Sequence, residues 1–350
     1  MYNVTDGETD CLNPERPSPK VSIVLCVHNG HTYFGEMMEY LENQPFRDYE
    51  LIIIVTSLSS DGSIDDAEQY CASHDNSSLI IQNERTFLGG AKNLGLDNAV
   101  GKYVWFLDID DMPSFNYLSE MVSALESTDS QISVCNFVYS DKRVRPTDNK
   151  ESELMVLTGS QAVHARSINL IPISSWSMLY DLNMVKSNGL RFSEAMSEDI
   201  GFTFKAFDCA DRVCIVPNVI YSYYMNAESF CNSKMDERGM TESDAYQDLI
   251  SYFPSSNSYL MRRLKLMSTR CLLHMSVSGF KQEIKDTRYK ELYSTDMKFI
   301  DHIELSVARN LPGFYHWLCR VFTKYYYYKP GKIFMTPGKI NTIRKIIGKS

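Results

Sequence analysis

The chain has 350 residues, 44% of them hydrophobic and 23% charged, with a net charge of −9. That length carries one large domain, or a domain with an extension, around a real core, and the composition excludes a fibrous, collagen-like or wholly disordered chain. Nine cysteines without a CxxC pair exclude a zinc ribbon and a disulfide framework and point to a reducing, cytoplasmic compartment, with Cys209 and Cys214, the nearest pair, read as core residues.

Residues 1–19, polar and proline-bearing, lack the basic start and apolar core of a signal peptide and read as a flexible lead. "KVSIVLCVHN" (20–29) is a continuous apolar run ending in polar residues, as expected of a strand buried on both faces of a parallel sheet. "HTYFGEMMEYLENQ" then places Tyr33, Phe34, Met37, Met38 and Leu41 near helical spacing. "YELIIIVTS" is a second buried strand, and "DGSIDDAEQYCASH" a helix opened by Asp61 and Ser63 with an acidic first turn. "SSLIIQN" is a short third strand. "FLGGAKNLGLDNAV" reads as a glycine turn and a helix, "KYVWFLDID" as a fourth strand, "SFNYLSEMVSALES" as a helix and "QISVCNFVYS" as a fifth strand.

Such alternation implies βαβ units and a doubly wound, mostly parallel α/β sheet. Ligands of these sheets sit beyond the carboxyl ends of the strands, where Asn29, the stretch Thr56 to Asp61 and the stretch Asp108 to Asp111 all fall. From about residue 151 short helical pieces alternate with loops, and "VCIVPNVIYSYYM" reads as one or two strands. From about 235 the chain is mainly helical, with "SYLMRRLKLMSTRCLLHMSVSGF" its clearest helix. The expected division is a lead at 1–19, an α/β domain at 20–230 and a helical region at 231–350.

Three carboxylates, Asp108, Asp110 and Asp111, close the fourth strand. Side chains alternate along an extended chain, so Asp108 and Asp110 point the same way. Such a pair suits Mg²⁺ or Mn²⁺, which bridge carboxylates to phosphates; a solvated acidic turn capping the helix near Phe115 is the alternative. Glu198 and Asp199 in "AMSEDIGF" suit an N-cap, the simpler reading from spacing alone, or a general base that deprotonates an attacking hydroxyl. His28 either stacks on a base or makes structural hydrogen bonds. Trp176 and Tyr180 either line an acceptor pocket or pack in a core. Gly89 and Gly90 either let the backbone approach a phosphate or only make a turn. No GxGxxG, P-loop or GxSxG is present, which leaves dehydrogenase, kinase and serine-hydrolase readings without a motif.

Taken in order, "PKVSIVLCVHNG", "YELIIIVTSLSSDGS", "GGAKNLGLDNAVGKYVWFLDIDD", "SSWSMLYD", "GLRFSEAMSEDIGFTFKAF" and "YSYYMNAES" resemble a family 2 glycosyltransferase with the GT-A fold, over about residues 20–230. The resemblance implies transfer of a sugar, usually with inversion, from a nucleotide-diphosphate donor, UDP-sugars foremost, with Mn²⁺ or Mg²⁺. By position it assigns Asp108 and Asp110 to ribose and metal and Asp111 to the metal. Val27, His28 and Asn29 go to the nucleotide base, Lys92 and Asn93 to the donor, Asp199 to the base catalyst with Glu198 beside it, and Trp176 to the acceptor side. Thr56 and Ser57 stand where the family has an acidic pair in the stretch ending at Asp61. A hydroxyl contact of that kind is worth on the order of 1 kcal/mol against about 2 for a charged one, so an altered nucleotide preference or weakened donor binding is expected.

After Glu304 the chain has no acidic residue but nine Lys and Arg, Arg309 to Lys349. The remainder is therefore more acidic than the total suggests and does not suit nucleic acid. The basic tail, with Phe314, Trp317, Leu318, Val321 and Phe322 near helical spacing, suits either an anionic membrane surface or packing on the catalytic domain. The expected function is a glycosyltransferase acting on a glycan or lipid-linked glycan, peripheral at the inner face of the plasma membrane; the alternative is a non-catalytic relative that binds a glycan or a partner protein.

Overall fold

Three apolar runs, each alternating between two buried faces, set the centre of the sheet. In the computed structural model they are strands β1 (Val21–Val27), β2 (Tyr49–Thr56) and β4 (Tyr103–Asp108). The structure describes residues 18–83, 87–148, 153–225, 235–254, 257–272, 303, 306–307, 310–322 and 330–348. β1 pairs in parallel with both β2 and β4, and β2 with the edge strand β3 (Ser77–Gln82).

Alternate residues of these strands feed two separate cores. Ile23, Leu25, Trp105 and Leu107 face one side, together with Phe34 and Met37 of helix α1 (His31–Asn43) and Tyr117 and Met121 of α4 (Tyr117–Thr128). Val24, Ile52, Val104 and Phe106 face the other, with Leu96 of α3 (Leu88–Asn98) and Phe202 and Phe204 of α7 (Asp199–Cys209). Helix α2 (Ser63–Ser73) joins the first layer through Ala67. Both faces are covered, as a sheet of this kind requires.

The strand order is β3-β2-β1-β4-β8-β6-β9-β5, with β7 (Met155–Thr158) paired to β9. The order reverses about β1 and β4, so the crevice beyond their carboxyl ends is the topological switch point. The sequence reading leaves β8 (Met178–Asp181) among helical pieces and loops; it is in fact a strand, antiparallel between β4 and β6 (Ile132–Ser140). β9 (Arg212–Tyr224) is one strand, not two. Its pairing with β6 shifts between Cys135 and Asn136, where the partner jumps from Val216 to Ile220 across Pro217. Proline cannot donate to a ladder, so a bulge is the place for it. Beyond the bulge β9 pairs with the two-residue β5 (Met112–Pro113) and carries Tyr221 to Tyr224 beside the Asp108–Asp111 turn.

Helices α5 (Gly159–Ser167), closed by a Thr158/Gln161 capping box, and α6 (Leu182–Ser187) pack on the second layer, followed by α8 (Met235–Tyr252) and α9 (Ser258–Cys271). Cys214 is buried, as expected, whereas Cys209 is half-buried; among the described residues no cysteine is in a disulfide.

The tail divides into two. Its last part, 330–348, returns to the sheet: Ile333 bridges Val138, and the Asn136 amide bonds both ways to Met335 at 3.1 and 2.7 Å. Phe334 stacks on Phe137, and α11 (Pro337–Ile346) buries Ile343 completely. The apolar side of "INTIRKIIGK" is therefore spent on the protein. Helix α10 (Pro312–Phe322) differs, because it buries Tyr315 and His316 but leaves Phe314 and Trp317, with Leu311 just before it, more than half exposed. No helix among the described residues is long and apolar enough to cross a membrane.

Candidate active site

The site begins where β1 stops. Val27 is buried, while His28 and Asn29 emerge. Asn29 has φ 50°, a left-handed conformation that asparagine tolerates better than most residues. This turn is zipped to the loop after β2. Asn29 N–H donates to Ser59 Oγ, Asn29 Oδ1 accepts from Ser60 N–H at 3.0 Å, and Gly30 N–H donates to Ser63 Oγ at 2.8 Å. Asp61 accepts His31 N–H on Oδ2 and both Ser63 donors on Oδ1. Burial alone would raise Asp61, but these hydrogen bonds outweigh it and hold the carboxyl below its ordinary value. Asp61 thus builds the loop with both oxygens. Thr56 uses its hydroxyl on Leu58 N–H at 3.3 Å, and Ser57 stands exposed beside it. This part of the cleft offers hydroxyls, with no free carboxylate at positions 56 and 57.

Beyond β4 the three aspartates fall on one turn. Burial pushes Asp108 up to about 7; Lys92 pulls it down, and Asp110, Asp199 and Glu198 push it up. Burial likewise raises Asp110, opposed by its own backbone and by Arg143. Asp111 is fully buried and raised well above the carboxylate range by burial and then by Asp110 and Asp108. Its Oδ1 accepts Tyr224 N–H at 2.8 Å; its Oδ2 makes no hydrogen bond of ordinary geometry among the described residues, though the Tyr221 hydroxyl lies near enough to pull the carboxyl down. Crowded, desolvated carboxylates with an orphaned oxygen fit a divalent cation. No three acidic, His or Cys groups among the described residues converge to cage one, so such an ion would draw much of its shell from phosphate and water, as Mg²⁺ commonly does.

The acids of α7 face this turn through one cation. Lys92, in α3, is fully buried, and its ammonium donates to Glu198 Oε1 at 2.6 Å, Asp199 Oδ1 at 3.0 Å and Ser175 Oγ at 2.9 Å. Burial would lower Lys92, but Asp199, Glu198 and Asp108 together raise it well above its ordinary value. Glu198 is raised by burial against the pull of Lys92. Glu198 stands at the N-cap of α7 without a capping hydrogen bond from its side chain, so the cap reading fails: the acid pair serves Lys92 instead.

Several assignments change with the geometry. Lys92 and Asn93 were expected at the donor. Lys92 is engaged by the acid pair, and the Asn93 amide straps Phe192 from both sides at 2.9 Å. Gly89 and Gly90 make neither a phosphate loop nor a turn; both lie buried in the first turn of α3. Tyr180 is wholly buried, its hydroxyl on Met178 Sδ, and Trp176 is 5% exposed and stacked on Tyr221 and Tyr223. Both are core aromatics, and Trp176 O accepts from Trp105 Nε1 and Tyr117 Oη at 2.9 Å.

Arg143, which the sequence reading missed, holds the aspartate turn by its backbone. Its guanidinium donates to Asp110 O and Ile109 O at 3.2 Å, pairs with Glu36 and lies over the Tyr33 ring at 5.2 Å. Nothing in "SDKRVRP" marks it, because its partners come from α1 and the β4 turn. Arg143→Ala is expected to raise the donor KM about tenfold with kcat changed less, since it loosens a binding loop and leaves the acid pair alone; steady-state kinetics check this. A cavity of about 370 Å³ lined by Lys102, Glu126, Asp129, Asp181, Asp211 and Arg212 lies at the opposite, amino end of β4 and takes no part in this site.

Residues 22–186 match the model of glycosyl transferase family 2. The chain carries a family 2 glycosyltransferase domain. Among its relatives, EpsH of Bacillus subtilis, described as a glycosyltransferase, is 28% identical over 74% of this chain and 76% of its own length. The poly(ribitol-phosphate) β-N-acetylglucosaminyltransferase TarS of Staphylococcus aureus is 24% identical over 60% of this chain and 36% of its own. A crystal structure of TarS residues 1–349 with UDP-GlcNAc superposes with a TM-score of 0.62 at 16% identity, over 89% of this chain and 93% of that one. A mannosyltransferase of Pyrobaculum calidifontis with GDP-Man and Mn²⁺ superposes at 0.55 and 14%, over 91% of each. The transferase domain therefore has the GT-A fold, a mostly parallel central sheet flanked by helices.

Proposed function

We propose that this transferase moves a sugar from a UDP-sugar to a hydroxyl of a glycan or lipid-linked glycan, with inversion and with Mn²⁺ or Mg²⁺ held at the Asp108–Asp111 turn, where phosphate and water would complete its shell. One observation carries the reading: Asp108 and the pair Glu198–Asp199 are near enough to perturb one another, with the Lys92 ammonium between them. A binding turn for a diphosphate and a candidate base thus border one cleft. The retained acid pair favours an enzyme over a non-catalytic relative.

When bound, the ion supplies Lewis-acid neutralisation of charge on the departing diphosphate. Asp199 takes the proton of the acceptor hydroxyl, whose oxygen bonds to the anomeric carbon. The carbon–oxygen bond to the diphosphate breaks, and its electron pair leaves with the phosphate. A single displacement from the opposite face inverts the centre. His28, Asn29, Thr56 and Ser57 border the nucleotide base, and Lys92, whose ammonium also donates to Ser175, holds Asp199.

The donor choice follows TarS, whose structure contains UDP-GlcNAc; a hydroxyl on a polymer as acceptor follows from the poly(ribitol-phosphate), a polyol-phosphate chain, in its name. Thermal-shift measurements with UDP, GDP, CDP and dTDP plus Mn²⁺ test it. A ligand bound only by the native state at 100 Kd stabilises by about 2.7 kcal/mol. UDP should raise Tm by several degrees and the others less; no shift with any of them overturns the reading.

Membrane contact belongs to the same proposal, on the cytoplasmic face. Leu311, Phe314 and Trp317 expose an apolar face within a tail that has no acidic residue, the pairing that anionic lipid attracts. Phe314→Ser with Trp317→Ser should cut co-sedimentation with anionic vesicles about tenfold while turnover on a soluble acceptor persists. Equal binding of the wild type to neutral and anionic vesicles would remove the charge argument.

A further inference from the structure

We propose that Lys92 is a positioning residue for transfer, clamping Glu198 and Asp199 with one shared ammonium so that Asp199 is held in place beside the Asp108 turn. The inference rests on the reading of Asp199 as the base. A lysine ammonium has three N–H donors and no acceptor. Those of Lys92 match three acceptors, Glu198 Oε1, Asp199 Oδ1 and Ser175 Oγ, all within 3.0 Å. No donor is left for a phosphate, so contact with the nucleotide sugar would require breaking the clamp. The side chain is 1% exposed and covered by the Phe192 ring at 5.2 Å, whereas Asp199 keeps 17% of its side chain open. The cation is sealed in, and the candidate base retains access.

Among the groups that the described residues place around Asp199, Lys92 carries the positive charge. Asp199 is faced by Lys92 from α3, by Glu198 beside it, by Asp108 from the end of β4 and by Tyr180 from β8. Cys26 of β1 borders Lys92, Asp108 and Glu198. Of these groups Lys92 alone is a cation. Without it three carboxylates would share a largely desolvated space, and one or more would take up a proton. A protonated Asp199 cannot accept another proton from the acceptor hydroxyl. During transfer, as Asp199 becomes neutral, Glu198 remains to compensate the ammonium, which accounts for the second acid.

The test compares full-length wild type, Lys92→Met and Lys92→Arg by two independent readouts. The first is the carboxyl ¹³C NMR titration of Asp199, assigned with Asp199→Asn, which needs no turnover. The second is the pH profile of kcat/KM for the donor. Lys92→Met should move the Asp199 titration and the acid limb of the profile to higher pH by about one unit or more. At pH 7 its kcat should fall tenfold or more, with the donor KM within about twofold. Lys92→Arg should restore the limb and most of kcat. If Lys92→Met fails to fold, Lys92→Met with Glu198→Gln removes one of the stranded charges and is compared with Glu198→Gln alone. An unmoved titration and acid limb overturns the proposal, as does a raised donor KM at unchanged kcat, which would put Lys92 on the donor. A wild type that neither binds nor turns over donor would instead overturn the transferase reading, while the NMR titration still reports on the clamp.

Discussion

Asp199→Asn is expected to lower kcat for sugar transfer by about 10²- to 10⁴-fold, the usual contribution of a positioned general base, or about 3–5 kcal/mol of barrier. The amide keeps the shape of the carboxylate and loses its ability to take a proton. Donor affinity should hold, because the Asp108 turn is built by β4, Arg143 and Tyr224 and does not depend on Asp199. Stability should change little. Lys92 keeps Glu198 at 2.6 Å, and a site with two carboxylates around one ammonium becomes a matched pair. The decisive comparison is therefore three measurements on one variant: turnover, nucleotide thermal shift and Tm. Loss of turnover alone supports the base assignment. Unchanged turnover would remove Asp199 from the chemistry. Joint loss of turnover and Tm would reduce it to a structural acid.

The parts of this site that could be read from the sequence are those written in consecutive residues. Buried strands announce themselves by unbroken apolar runs, and their polar ends name the cleft, so Asn29 and the Asp108–Asp111 turn stand out, while Asp199, at the head of α7, stands out by its acid pair with Glu198. What escaped is set by partners distant in sequence. β8 is four residues long, and its place between β4 and β6 comes entirely from antiparallel pairing with both. The position of Lys92 in a motif points to the donor and says nothing of acceptors 106 and 107 residues away. Arg143 and Asn136 act on residues 33 and 199 positions off. The tail shows a different limit. A basic, apolar helix has one pattern whether its apolar side meets lipid or its own sheet, and only the docking of Phe334 and Ile343 separates α11 from α10.

Gly89→Ala should then be the most damaging small substitution at the site, for reasons of space and not of backbone conformation. A Cβ at Gly89 would lie 1.8 Å from Ser193 O, 2.9 Å from Ser193 C and 3.0 Å from Glu198 Cβ. A backbone carbonyl cannot rotate aside as a flexible side chain can, and the preceding residue, Phe192, is strapped to Asn93 by two hydrogen bonds of 2.9 Å. The strain must therefore move the Ser193–Glu198 stretch away from α3, and Glu198 and Asp199 move with it, off Lys92. A misplacement of about 1 Å at a catalytic group costs on the order of 10²-fold in rate, and overpacking of this kind costs about 1–3 kcal/mol of stability. Gly35→Ala is the matched control: it lies in α1 with nothing within 4 Å of the added Cβ, so alanine there should stabilise by about 0.5–1 kcal/mol and leave turnover unchanged. Turnover and Tm of the two variants decide the matter. If Gly89→Ala keeps wild-type activity, the approach of the acid-bearing loop to α3 is not what sets the base in place.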